Sequence, residues 1–285
     1  MDQRLGFEWE ILFDVTPPTE MEKAWGWTEP MSARVGRLQY RTRTIQAGPV
    51  TEVEVYPVFG RRQEQKARAA REQLSPERMQ RANHQAAMRR IIRLANANFT
   101  EKDLHVTLTY GGSVPNWDQC QRDVRNFIRR MQYLRKKRGL EKAKYIYAIE
   151  DNESGQKKRI HVHMLLTGGI SREEIEACWK KGWANADRLQ PNEEGLAAIA
   201  KYITKAQRNR KKWVCSQGLV QPKVRVSNTK LTRRKVEKLA GELDTVWKEV
   251  LRKAYPGQEP VRCEVWSSDV MEGVFVRAQL IRHRG

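Results

Sequence analysis

The chain has 285 residues, a formal net charge of +20 at pH 7 and a sequence pI near 10.0. Its hydrophobic fraction of 39% can build one large domain or two small ones. The excess of cations favours nucleic acid as a partner over an anionic membrane surface. No apolar run approaches the ~20 residues of a membrane-spanning helix. The first residues do not resemble a signal peptide, so we expect a cytoplasmic protein with no membrane partner. Four widely spaced cysteines show no paired zinc spacing, and we expect them to be reduced thiols: Cys120, Cys178, Cys215 and Cys263.

The first predicted elements follow a segment, residues 1–35, whose order the sequence leaves open. Residues 36–59 are expected to form a β-hairpin, because apolar and polar residues alternate on both sides of a turn at Gly48-Pro49. Residues 60–96 are expected to be largely helical and strongly basic. Ser75-Pro76 within them is a typical helix start, with serine as cap and proline at the first position.

The middle of the chain has the clearest β pattern. Residues 103–110 alternate strictly, so leucine and valine face one side. Helical spacing of apolar residues follows over 117–138. Two strands are then expected at 144–150 and 158–166, and the short turn between them makes the pair antiparallel. The polar side of the first strand carries His105, Thr107 and Thr109.

The second half of the chain alternates between helix and strand. A capping box at Ser171 opens a short helix through Trp179, and we expect Trp179 and Trp183 to lie in the core. The remaining predicted elements are a short strand at 184–189, helices at 192–207 and 232–253, and strands at 261–267 and 273–282. This order predicts an α+β fold with an antiparallel sheet and helices mainly on one face. The other face would be open to a ligand.

Two histidines on the predicted second strand of the central hairpin are candidate metal ligands. His161 and His163 are two residues apart, so they point to the same side of a strand. Glu150 ends the neighbouring strand and adds a carboxylate. Two imidazoles and one carboxylate suit Mg²⁺ or Mn²⁺ when a phosphate supplies further oxygens. His105 is an alternative third ligand, because its strand is expected beside the histidine strand.

A tyrosine on the helix predicted at 192–207 is a candidate nucleophile. The phenol of Tyr202 has a reference pKa of ~10, so it must be activated by a cation or base. Lys205 is three residues further along and shares its helix face. Attack of a tyrosine on phosphorus makes a phosphotyrosine ester that keeps the energy of the broken bond. The cut strand can then be rejoined without ATP.

A basic run begins directly after Tyr202 and is a candidate surface for single-stranded DNA. Cations follow the phosphate backbone and an aromatic ring stacks on a base at such sites. The residues of this run are Lys205, Arg208, Arg210, Lys211, Lys212 and Trp213. Thr107 and Thr109 are either part of the same DNA site or simple β-forming surface residues.

These motifs resemble, in order, the three motifs of rolling-circle replication initiators, which are HUH endonucleases. The matching pieces are Thr107-Leu108-Thr109-Tyr110, His161-Val162-His163 and Tyr202-Ile203-Thr204-Lys205. Residues 100–215 resemble the nuclease domain, and the flanking basic pieces are similar to filamentous-phage gene II-type proteins. The resemblance implies a ferredoxin- or RRM-like sheet that holds Mg²⁺ or Mn²⁺ through His161, His163 and an acid, here Glu150. It also implies that Tyr202 nicks one strand at an origin and stays joined to the 5′ phosphate, while the 3′ hydroxyl primes synthesis.

The resemblance has one departure, since relatives with two tyrosines place them one helical turn apart and Ala198 stands there in this chain. Termination then needs a second protomer in a dimer, an activated water or another residue. No phosphate-binding Gly-x-x-x-x-Gly-Lys-Ser/Thr loop is present, so a helicase and a DNA polymerase would come from the bacterial or phage-infected host.

The predicted regions are an N-terminal segment, a hairpin with a basic helical region, a nuclease domain and a C-terminal basic extension: 1–35, 36–99, 100–215 and 216–285. Two alternatives to a replication initiator remain open. The first is another HUH enzyme, either a single-tyrosine transposase or a relaxase. The second is a non-enzymatic protein that binds single-stranded nucleic acid.

Overall fold

A computed structural model describes most of the chain, in segments that form two compact units. The described residues are 32, 35–58, 76–113, 115–152, 159–204, 213–241, 246–267 and 272–282. The central unit spans residues 91–221. The terminal unit combines residues 1–90 with residues 222–285.

The described residues contain ten strands and six helices. The strands are β1 (Tyr40–Ala47), β2 (Val50–Pro57), β3 (Leu104–Tyr110), β4 (Tyr145–Asn152), β5 (Arg159–Leu166), β6 (Gly182–Arg188), β7 (Val214–Cys215), β8 (Lys223–Ser227), β9 (Glu259–Ser267) and β10 (Val274–Ile281). The helices are α1 (Pro76–Asn98), α2 (Trp117–Lys137), α3 (Arg172–Ala177), α4 (Ala197–Thr204), α5 (Arg233–Gly241) and α6 (Trp247–Ala254). Within the described ranges, none of the helices has the length and apolar character needed to cross a lipid bilayer.

The central unit is built on an antiparallel sheet with strand order β6-β3-β5-β4-β7, here called the central sheet. Helix α2 presents Val124, Phe127 and Met131 at helical spacing, and all three are fully buried against one face of this sheet. The side chain of Asn116 caps the start of α2 by accepting a hydrogen bond from the backbone of Gln119. The predicted α+β class with an antiparallel sheet is therefore confirmed.

The second face of the central sheet is covered at one end only. There, an apolar patch of β4 and β5 belongs to the same buried cluster as the last residues of α1 and the first residues of α4. Ile146 and Ala148 of β4, Leu165 of β5 and Ala200 of α4 are its centre. The other end of this face carries polar side chains instead. The ligand-accessible surface is therefore a part of the sheet face, and not the whole face that the sequence suggested.

The terminal unit has a second antiparallel sheet, with strand order β8-β1-β2-β10-β9, here called the terminal sheet. The hairpin predicted at 36–59 is confirmed as β1 and β2, with Gly48 in the left-handed conformation of the turn. This hairpin shares its sheet with the last two strands of the chain. Helices α5 and α6 cover one face through buried residues such as Leu239 and Leu251.

Two predicted helices differ from the observed ones. The helix expected at 192–207 begins only at Ala197, because Asn192 and Gly195 exchange backbone hydrogen bonds in a β-bridge. The helix expected at 232–253 is observed as two helices, α5 and α6. By contrast, the helix start predicted at Ser75-Pro76 agrees with the observed start of α1.

Candidate functional site

The polar end of the central sheet carries the predicted site residues in two adjacent rows. A row runs across the strands because paired residues of an antiparallel sheet point to the same face. The first row is Trp183, Thr109, His161 and Glu150, and the second row is Asn185, Thr107, His163 and Ala148. The pairing register of β3, β4 and β5 thus brings together residues that are more than 50 positions apart in the sequence.

His163 and Glu150 form the closest polar contact of the site. Nε2 of His163 lies 3.0 Å from Oε2 of Glu150. The His163 ring is buried, at 4% exposure, and burial lowers the pKa of His163 although Glu150 acts in the opposite direction. A lowered pKa keeps the imidazole neutral, which is the form that binds a metal ion.

Two threonines hold the other nitrogens of the histidine rings. Thr109 Oγ1 lies 3.2 Å from Nδ1 of His161, and Thr107 Oγ1 lies 3.4 Å from Nδ1 of His163. A hydroxyl can donate or accept a hydrogen bond, so it matches either tautomer of the ring. When Nδ1 carries the proton, Nε2 keeps its lone pair for a ligand. Sequence reasoning considered these threonines only as DNA contacts or surface residues, whereas their geometry makes them partners of the histidines.

His105 lies one row further into the sheet and stacks on His163. The ring centroids are 5.8 Å apart and the planes differ by 17°. Burial and the neighbouring His163 lower the pKa of His105, while Asp187 on β6 opposes this effect. The structure therefore places His105 behind His163, at the start of the covered part of the face.

The donors of the first two rows fit a divalent cation in part. Among the described residues, no three side chains of histidine, cysteine, aspartate or glutamate converge closely enough to hold a metal ion. His161 stands apart, with its ring centroid 6.4 Å from that of His163. The 3.0 Å between His163 and Glu150 equals the spacing of two adjacent ligands on an octahedral ion with bonds of about 2.1 Å. The donor chemistry fits Mg²⁺ or Mn²⁺, with one pair already at ligand spacing.

Tyr202 lies on α4, whose buried residues pack on the same sheet face that carries Glu150 and the histidines. The start of this helix is fixed by the backbone N–H of Leu196, which donates a 2.8 Å hydrogen bond to the buried side chain of Asn96. Ala198, one turn before Tyr202, is exposed. For Tyr202 the structure describes the place in the helix but not the side chain. Several predicted site residues lie outside the described residues: Lys205, Arg208, Arg210, Lys211 and Lys212.

The tryptophans near the site have three different environments. Trp179 is buried as predicted, and its indole N–H donates a 3.0 Å hydrogen bond to the backbone oxygen of Thr109. Trp213, a predicted DNA contact, is half-buried and packs against the cluster between α1, α4 and the sheet. Its DNA contact stays a prediction. The core prediction for Trp183 is wrong, because this side chain is 68% exposed at the open end of the sheet.

A close backbone approach sets the position of Trp183. A Cβ atom on Gly182 would lie 2.3 Å from both the backbone nitrogen of Gly111 and the backbone oxygen of Thr109. Only glycine allows β6 to approach β3 this closely at this point. Trp183 is consequently seated directly beside Thr109, in the row of His161 and Glu150. The alternation pattern of residues 103–110 together with the register of β6 would have been needed to find it.

The fold and the site together define an α+β protein whose antiparallel sheet presents two histidines and a glutamate beside a tyrosine-bearing helix. Residues 103–207 match the sequence profile of a replication-associated protein family, described by the names ORF2 and gene II protein. This match confirms the predicted resemblance and assigns the segment from β3 to the end of α4 to a family of replication-associated proteins, whose partner is DNA. No curated protein and no solved structure matches the chain.

Proposed function

We propose that the protein initiates rolling-circle replication by nicking and rejoining one strand of origin DNA. Tyr202 is the nucleophile, and His161, His163 and Glu150 bind Mg²⁺ or Mn²⁺. The observation that carries this proposal is the meeting of Glu150 with His163 at 3.0 Å on the sheet face that also seats the helix of Tyr202. All of these residues lie inside the segment that matches the replication-associated family.

The proposed reaction exchanges one phosphodiester for another. The phenol oxygen of Tyr202 forms a bond to phosphorus, and the bond between phosphorus and the 3′ oxygen breaks. The phenol loses a proton and the departing 3′ oxygen gains one, so the overall proton count is unchanged. The 5′ phosphate remains on Tyr202, and attack by a 3′ hydroxyl reverses the step and rejoins the strand. Lys205 stabilises the phenolate or the phosphate.

A bound divalent cation would polarise the scissile phosphate and stabilise charge on its oxygens. Three donors from this chain leave octahedral positions for phosphate oxygens and water. Because the three side chains are not assembled around one point, we propose that metal and DNA bind together and that His161 completes the set when the phosphate is present. The threonines orient the rings by holding Nδ1 of His161 and of His163.

Single-stranded DNA is the proposed substrate at this site. Trp183 is exposed in the same row as His161, so its ring is available for stacking on a base next to the scissile phosphate. The basic residues that follow Tyr202 in the sequence would hold the phosphate backbone: Arg208, Arg210, Lys211 and Lys212. A host helicase and DNA polymerase would act on the nicked origin in the cytoplasm of the bacterial or infected cell, and a second protomer is one route to termination.

A covalent adduct tests the nucleophile directly. The wild type and Tyr202→Phe are incubated with single-stranded oligonucleotides that tile both strands of the parent replicon, with Mn²⁺ or with a chelator. We expect a slower-migrating protein on a denaturing gel for the wild type, only with metal and only for one strand. Tyr133→Phe is a matched control, because Tyr133 is a 71% exposed tyrosine of the same unit on α2.

The outcomes separate the alternatives. An adduct that survives in Tyr202→Phe would move the nucleophile elsewhere. Tight binding of the oligonucleotides without any adduct, on either strand and with either metal, would favour a non-enzymatic single-strand binding protein. An adduct formed on a transfer or transposon-end sequence in place of a replication origin would favour a relaxase or a transposase with the same chemistry.

A further inference from the structure

One face of the terminal sheet changes from apolar to polar along its strands. Val53 and Val55 of β2 are fully buried under α5 and α6. Further along the same face the helices end and the side chains are polar or basic. The pairing register places Thr44 beside Arg225 and Gln46 beside Lys223. This end of the face is the floor of a concave surface.

The surface forms a pocket of about 380 Å³, here called the basic pocket. Tyr255, which follows the last residue of α6, forms one wall, and its hydroxyl lies 2.7 Å from Oγ1 of Thr44 on the floor. Nζ of Lys230 lies 4.7 Å from the centre of the Tyr255 ring. Arg282, directly after β10, lines the pocket as well. Two hydrogen-bonded side chains and the sheet thus fix the shape of the pocket.

The charge of the basic pocket has one sign. None of its described lining residues is acidic, and no ion pair found among the described residues involves its four cations: Lys223, Arg225, Lys230 and Arg282. The opposite face of the same sheet differs, since Arg43 there pairs with Glu54 at 3.1 Å. Uncompensated cations in a concave surface concentrate a positive potential that attracts an anion.

A buried hydrogen-bond acceptor narrows the type of anion. Oε1 of Gln258 lines the pocket region and is buried, and no donor among the described residues reaches it. A ligand that carries both phosphate and hydrogen-bond donors, as a nucleotide does, satisfies the cations and this oxygen together. Inorganic phosphate at neutral pH offers little to the amide oxygen.

The lysine and arginine of β8 have a second conceivable role. Charged residues protect an edge strand from pairing with other chains, and β8 pairs only with β1 among the described strands. That role does not explain Lys230 and Arg282, which lie outside β8 and line the same pocket. Convergence from three separate segments indicates a binding site.

We propose that the basic pocket binds the phosphodiester backbone of single-stranded DNA as a second DNA site, separate from the nicking site of the central unit. The choice of DNA as the polymer rests on the proposed function. The pocket has room for about one nucleotide, so it grips a strand that extends beyond it on both sides. It contributes affinity but touches no reacting atom.

The test compares charge-matched variants of the full chain. Lys223→Gln/Arg225→Gln and Lys230→Gln/Arg282→Gln each remove two cations from the pocket. Arg234→Gln/Lys238→Gln removes two exposed cations from α5, outside the pocket. Fluorescence anisotropy measures the affinity for a 40-nucleotide single strand of mixed sequence at several salt concentrations, in a chelator so that no strand is cut.

Each pocket variant should bind about tenfold more weakly at low salt and lose about 1.4 from the slope of log affinity against log salt, since each single-strand phosphate contact contributes about 0.7. The α5 variant should stay within about twofold of the wild type. Pocket variants that match the α5 variant would overturn the proposal. So would loss of duplex binding alone, or displacement of DNA by inorganic phosphate at the concentration at which a mononucleotide displaces it.

The nicking reaction is scored separately. With a short oligonucleotide that covers only the nick site, at saturating concentration, the pocket variants should form the covalent adduct at the wild-type level. Tyr202→Phe should lose the adduct and keep the wild-type salt slope. A chain that forms no adduct but shows the pocket-dependent slope would refute the proposed nuclease and leave the second DNA site standing.

Discussion

The two sheets of this protein share a plan and differ in the chemistry of one end. In each sheet one face is packed under helices at one end and polar at the other. The polar end of the central sheet combines a buried histidine with a glutamate at 3.0 Å. The polar end of the terminal sheet holds four cations and none of its described lining residues is acidic.

This difference separates two tasks that a protein acting on DNA must perform. A carboxylate next to neutral imidazoles can hold a cation and act on a phosphate, but it adds nothing to the attraction for a polyanion. Cations without a carboxylate attract the polyanion but offer no ligand set for a metal ion. The central sheet is therefore suited to chemistry and the terminal sheet to affinity.

The largest predicted effect tests the chemical end of the comparison. Glu150→Gln keeps the size of the side chain and removes its charge, so the rate of covalent adduct formation should fall by about 10²–10³-fold, equivalent to several kcal/mol of charge stabilisation. The affinity for single-stranded DNA should stay within a few-fold, since the carboxylate is not a DNA contact. Adduct formation on a gel and anisotropy give the two quantities.

His105→Gln is the control for this experiment. His105 stacks on His163 and is the rival third ligand, so the substitution should reduce the rate by less than about tenfold. A larger loss in His105→Gln than in Glu150→Gln would exchange the two assignments.

An intermediate effect is expected from the threonine that holds His161. Thr109→Val preserves the shape of the side chain and removes the hydroxyl next to Nδ1. The affinity for Mn²⁺ in the presence of DNA should fall about 10–100-fold, as for other partners of metal-bound histidines. Electron paramagnetic resonance of unbound Mn²⁺ measures this affinity. Thr109→Ser restores the hydroxyl and should restore binding; equal affinities of all three proteins would mean that the hydroxyl does not orient the ring.

The smallest effect sharpens the distinction between stacking and charge. Trp183→Ala removes the exposed ring beside Thr109 and should weaken binding of a short oligonucleotide about tenfold, within the range for one stacked base. Because no charge is lost, the salt slope should remain that of the wild type, unlike the slope of the basic-pocket variants. Trp183→Phe should retain most of the affinity. A changed slope in Trp183→Ala would show that stacking is not the contribution of this residue.

Local sequence patterns predicted the central site well because its register follows from alternation. The spacing of His161 and His163, and the strict alternation of residues 103–110, fix which side chains share a face once the strands pair. The site's partners across the sheet depend on pairing between strands far apart in the chain, which no local pattern encodes. Trp183 was therefore assigned to the core, because a tryptophan in a short strand gives no sign that it stands at an open edge.

The terminal sheet was less accessible to prediction for a related reason. Strand β8 is exposed on both faces and basic, so it lacks the alternation that marks a half-buried strand, and it pairs with a hairpin almost 180 residues earlier in the chain. The segment that follows Tyr202 contains only basic and polar residues up to Trp213, and its predicted DNA contacts lie outside the described residues. A basic composition predicts that DNA is bound, but it does not identify the pocket in which four cations meet.

Helix α4 has an exposed alanine, Ala198, one turn before Tyr202. With Tyr202 as the proposed nucleophile, each copy of the chain has one place to store a strand end. A complete replication cycle generates a second end when the new strand reaches the origin again. The number of protein copies at the origin must therefore equal the number of ends stored at one time, and the stoichiometry of the complex becomes a direct count of covalent intermediates.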